Sequence, residues 1–104
     1  MSWLVRLTRK AEKQTANLSK SAKLALNLLV TDLANNGPFP GKSWPNYGKL
    51  QGLKGVKSNR DLRHCHLIKG NPTYVCCWEV VEVVEDEVKI IEVYYAGTHE
   101  KAPY

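Results

Sequence analysis

A chain of 104 residues bounds the problem to one domain built on one hydrophobic core. No apolar run approaches the ~20 residues that span a bilayer, and the opening residues enter a strand-like pattern instead of a leader, so a membrane role is excluded and a cytoplasmic location expected. The charge is lopsided: residues 1–78 hold 13 Lys and Arg against three acids, residues 79–104 hold two against seven, and the net is +5. Such an excess fits a nucleic-acid binder and equally a solvated basic surface.

Residues 3–8, Trp-Leu-Val-Arg-Leu-Thr, alternate as a first strand. Thr8 is placed to cap a short helix over 9–18, and Ser19 or Ser21 to cap a longer one over 21–35. In that second helix Ala22, Ala25, Leu26, Leu29 and Leu33 recur at helical spacing. Leu24, Leu28 and Val30 broaden the stripe and predict a well-buried helix, which Asn35-Asn36-Gly37-Pro38 ends. Residues 37–61 read as one long irregular segment, rich in Gly and Pro. Its Trp44, Tyr47, Leu50 and Leu53 predict partial packing back onto the core, and Lys42, Lys49, Lys54, Lys57 and Arg60 make it strongly basic. A basic loop with interleaved aromatics suits a nucleic-acid backbone; the plainer role is to cover and solubilise the core's edge.

Three strands follow, joined by short turns: residues 62–67, then Thr73 to about Glu85, then Val88 onward to a break at Gly97. Lys69-Gly70-Asn71-Pro72 and the acidic Glu85-Asp86-Glu87 are the turns, so the three segments form an antiparallel meander. The order β-α-α-β-β-β predicts an α+β domain, with two N-terminal helices packed on one face of an antiparallel sheet.

Period-two geometry sorts the side chains of these strands. Leu62, His64 and His66 share one face, Arg63, Cys65 and Leu67 the other. Tyr74, Cys76, Trp78 and Val80 carry the larger rings and are expected to face the helices, making Cys65 and Cys76 core thiols. Three cysteines, two of them adjacent, suit reduced thiols better than a disulfide framework. His64 and His66 then face the open side beside Cys77 and Glu79, and His99 arrives there from the end of the last strand. Imidazoles converging beside cations suit acid–base cleavage of RNA, in which one takes the 2′-hydroxyl proton and a second group protonates the leaving 5′-oxygen. His-X-His on a strand is by itself more often a surface or structural feature. His64, His66 and Cys77 also offer three metal ligands on one face, but zinc favours spaced pairs and Cys76-Cys77 diverge, so neither metal nor cofactor is expected.

At these residues the chain resembles the RelE/ParE toxin superfamily of bacterial toxin–antitoxin systems, most of all its YafQ-like, RelE-type mRNA interferases. The resemblance rests on Lys49-Leu50-Gln51-Gly52-Leu53, Leu62-Arg63-His64-Cys65-His66-Leu67, Asn71-Pro72-Thr73-Tyr74 and Gly97-Thr98-His99, taken in order and spacing over most of residues 1–104. It implies a single RelE-like domain: a ribosome-dependent endoribonuclease that cuts mRNA in the ribosomal A site and is neutralised by a cognate antitoxin. His66 and His99 match the two catalytic histidines, His64 falls where relatives place an acid or a lysine, and Tyr104 lies near a catalytic aromatic of some members. Departures are equally specific. Thr73 replaces a catalytic Asp, Gly48-Lys49 replace a His, and Val75 stands near an arginine of RelE. Cations would then come from Lys49, Lys54, Arg60 or Arg63, with Lys42 and Lys57 completing the RNA-binding set. Two alternatives share the fold or the charge: a ParE-like toxin acting on DNA gyrase without nuclease chemistry, and a non-catalytic RNA-binding module.

Overall fold

Two side-chain-capped helices and a mixed sheet make up the computed structural model, which describes residues 3–57, 59–83 and 88–104. Strand β1 (Leu4–Leu7) leads into helices α1 (Arg9–Thr15) and α2 (Lys20–Asn36). Strands β2 (Gly48–Leu50), β3 (Leu62–Ile68), β4 (Tyr74–Val83) and β5 (Val88–Thr98) follow, and a 3-10 turn at His99–Lys101 comes last. The acidic turn expected at 85–87, and the expected run of the long strand to Glu85, lie outside the described residues. None of the described helices is long and apolar enough to cross a membrane.

Local chemistry sets the helix ends. Thr8 Oγ1 accepts from the Ala11 N–H at 3.0 Å and Ser19 Oγ from the Ala22 N–H at 3.2 Å, each satisfying a donor that has no partner inside its helix. The first helix is shorter than expected, ending at Thr15 because Asn17 and Leu18 turn back on the Gln14 and Thr15 carbonyls. The second ends at Gly37, whose φ of 89° is in the left-handed region and whose N–H bonds the Leu33 carbonyl. A Cβ at Gly37 would also lie 2.8 Å from Trp3 Nε1, so glycine is required there twice over. The expectation that Leu24 and Leu28 broaden the buried stripe of α2 is corrected: Leu26, Leu29 and Leu33 are buried, but Leu24 and Leu28 are 61% and 65% exposed. Only one face of α2 meets the sheet, and an interior stripe of small and branched residues already fills it.

The sheet order is β1-β5-β4-β3-β2. The meander β3-β4-β5 is antiparallel as expected, and β2, three residues inside the segment read as irregular, extends it with Gly48 opposite His64. The β1 strand runs parallel to β5, from Leu4 opposite Ile90 to Leu7 opposite Val93, which makes the sheet mixed. Beyond Val93 the β1 edge is vacated, and α1 passes there instead. The side-chain oxygen of Gln14 accepts the Ala96 N–H at 3.1 Å.

Both helices cover one face. The core holds Leu26, Leu29, Leu33, Cys65, Cys76, Ile91, Val93 and Ala96 around a fully buried Trp78. Trp44 packs at the margin, as its covering role predicted, and donates to Asp32 at 2.8 Å. The register slips once between β4 and β5: Cys77 faces Tyr95 while Trp78 faces Val93. That bulge absorbs Tyr94 and puts two consecutive tyrosines on the open face, where Tyr94 and Tyr95 join Val75, Cys77 and Ala102 in a second, smaller cluster.

Candidate active site

The open face of the meander brings three histidines and a tyrosine together. His64 and His66 alternate with the buried Cys65 on β3, opposite Cys77 and Val75 of β4. The 3-10 turn that follows β5 begins with His99, whose N–H bonds the Thr73 carbonyl at 2.8 Å and pins the turn to the start of β4. His66 and His99 meet edge to face, their ring centroids 5.5 Å apart. Tyr104 lies across them, 4.8 Å from His64 and 5.9 Å from His99.

Two small features hold these rings in place. Gly97 leaves room for Tyr95, whose hydroxyl donates to the Thr98 carbonyl at 2.6 Å; a Cβ at 97 would come 2.8 Å from that hydroxyl. Ala102 packs into the Val75–Cys77–Tyr95 cluster and so anchors the segment that delivers Tyr104. On the other side a Cβ at Gly48 would sit 3.5 Å from His64 Nε2, so β2 forms a low wall against the His64 ring.

The electrostatics separate the groups. Burial is the first reason that His64 titrates below its ordinary 6.5, and repulsion from His66 and His99 adds to it. His64 Nδ1 is buried without a hydrogen-bond partner among the described residues, in keeping with a neutral ring. His66 is also held low, by burial, then by His99 and Lys69. Burial pushes the Tyr104 phenol up to about 12, so it stays protonated at neutral pH. Beneath the histidines, burial pushes the Cys77 thiol up to about 12, as it does Cys65, which makes both poor nucleophiles.

A hollow of about 330 Å³ opens beside His66 and His99, walled by the turn Gly70-Asn71-Pro72-Thr73 and by Glu100. Thr73, standing where an acid was sought, bonds Gly70 twice, donating to its carbonyl at 2.9 Å and accepting its N–H at 3.2 Å, which closes the turn. The cations are divided. Lys42, Lys49, Lys54 and Lys57 are exposed. Arg60 is held by both oxygens of Glu79 at 2.8 and 3.0 Å, and Arg63 by Asp61 at 3.0 Å and by the Tyr47 hydroxyl at 2.8 Å. Lys69, which the sequence reading placed only in a turn, is the cation whose charge bears on His66. Its signal was its place three residues past His66, before a tight turn. Among the described residues no three His, Cys, Asp or Glu side chains converge to hold a metal ion.

No protein-family model matches the sequence, and no curated protein matches it. Among solved structures the chain is similar to the archaeal RelE–RelB complex from Pyrococcus horikoshii OT3, with a TM-score of 0.68 and 18% identity over 98% of this chain and 100% of the other. With its two helices on one face of a five-stranded sheet built around the antiparallel meander, the chain has a RelE-like fold.

Proposed function

We propose that this chain is the toxin of a type II toxin–antitoxin pair and cleaves mRNA on the ribosome by acid–base catalysis. The observation that carries the reading is the edge-to-face meeting of His66 and His99 at 5.5 Å beside an open hollow on a RelE fold. A gyrase-directed toxin or a passive RNA binder has no use for two imidazoles so arranged. The base is assigned to His66, which burial, His99 and Lys69 keep neutral and proton-accepting. It takes the 2′-hydroxyl proton as the 2′-oxygen attacks phosphorus. The P–O5′ bond breaks, and His99, as the acid of the pair, supplies the proton to the leaving 5′-oxygen, giving a 2′,3′-cyclic phosphate and a 5′-hydroxyl. Lys69, whose charge bears on His66, offsets charge developing on the phosphoryl oxygens, and the neutral phenol of Tyr104 is a further donor. Lys42, Lys49, Lys54 and Lys57 contribute the sequence-independent grip on the RNA backbone. The partner would be an antitoxin, a reading supported by the likeness to a RelE found in complex with RelB, and the setting the cytoplasm.

Inducible expression in bacteria, with 5′ ends of messages mapped after induction, tests this directly. Growth arrest with new cuts inside translated messages is expected, and His66→Ala or His99→Ala should each lower cutting by about a hundredfold or more without unfolding the chain. Arrest without cuts, unchanged in the double variant, would move the chain to the gyrase-directed class.

A further inference from the structure

Four aliphatic side chains, Leu50, Leu53, Val56 and Leu62, belong to neither core cluster. They line a second hollow, of about 460 Å³, where the basic segment after β2 curls back over the bare face. Leu62 shares that face with His64 and His66, and four residues of extended strand place it about 13 Å from His66. Aliphatic side chains thus form one part of the hollow's lining, with Leu62 itself nearly buried, and Gln51 and Asn59 add amides to it. Two exposed cations, Lys49 and Lys57, also line it and form no ion pair among the described residues. Arg60 and Asp61 lie there too, but their charges are taken up by Glu79 and Arg63.

We infer that this hollow is a nucleotide subsite, taking the base and phosphate of an RNA residue that flanks the cut. The inference rests on the nuclease reading above and gives that site a direction. A flat base buries its face on the half-buried Leu50, Leu53 and Val56, and the two amides meet its polar edge. Lys49 and Lys57 meet the phosphate beside it. A volume of about 460 Å³ is in the range of small-ligand sites, and His64 lies between Leu62 and His66 on the same face of β3. Because Gln51 and Asn59 differ from the groups around His66, the flanking base and the base at the cut are read by separate side chains.

Photocrosslinking on mRNA-programmed ribosomes tests this. The message carries a 2′-O-methyl group at the cut and one 4-thiouridine, placed in turn at the cut and at each of the flanking positions. The expected result is a crosslink to the peptide holding residues 50–60 from one flanking side only. Val56→Trp, which fills the hollow, should abolish it. Lys57→Glu, a surface change, should raise the KM for cleaving unmodified message roughly tenfold. Crosslinks at the cut but none to 50–60 from any flanking position, with KM unmoved in Lys57→Glu, would overturn the subsite and leave the nuclease standing. No crosslink even at the cut, with cutting indifferent to His66→Ala and His99→Ala, would overturn both.

Discussion

His64 has the least conventional surroundings of the three histidines, with its Nδ1 buried and unpaired and its ring between β2 and Tyr104. Because its folded pKa lies below the ordinary 6.5, the unfolded chain binds its proton more readily, and stability rises with pH across that window. His66 shifts in the same direction and adds to the slope. Asp61, lowered from 3.8 by Arg63, contributes stability that is lost only in stronger acid. The melting temperature should therefore fall as pH is taken from about 7.5 to about 5.5, and the fall should be shallower in His64→Leu. An equal slope in the variant would place the titrating group elsewhere. At this scale the sequence was a good guide to which residues meet: alternation put His64 and His66 on one face, and the break at Gly97 put His99 beside them. It was a poor guide to the charges. Arg60 read as a free cation because Glu79 is 19 residues away and only the fold brings the two together, whereas Arg63 read as one although its partner Asp61 lies two residues before it.

Elements were legible where their signal is local. Thr8 and Ser19 are visible caps, and Gly37 before Pro38 is a visible stop, so α2 was placed to within a residue at each end. Strand β2 was not legible, since three residues are too few to show alternation and its partner β3 starts 12 residues later. The bulge at Tyr94 was invisible for the opposite reason: a strict period of two sends neighbouring tyrosines to opposite faces. The apolar count on α2 overstated its burial because periodicity gives the width of a stripe, not the width of the surface it meets. The turn from β5 into the site offers a test at this scale. Gly97→Ala forces a Cβ against the Tyr95 hydroxyl and breaks the bond to Thr98, which should cost about 1–3 kcal/mol and lower cleavage as well, because His99 follows directly. Tyr95→Phe loses the bond without the clash and should cost about 1 kcal/mol. Denaturant melts of the two variants separate clash from bond.

For the molecule as a whole, the division between faces was readable from order alone: helices early, meander late, histidines on the side the helices leave bare. The parallel docking of β1 was not, because nothing in residues 3–8 indicates which strand they will join or in which direction. That docking has an outcome for solubility. A β1 of four residues leaves the stretch of β5 after Val93 with no neighbouring strand on that side, among the described residues. An open row of peptide groups is a template on which another chain can polymerise. The single amide of Gln14, accepting the Ala96 N–H, interrupts that template with a group from a helix, which cannot itself be extended as a strand. Gln14→Ala should fold and melt within about 1 kcal/mol of the parent, yet form assemblies at concentrations where the parent stays monodisperse by light scattering. One side-chain oxygen would then be acting less as a stabilising bond than as a stopper against fibre growth.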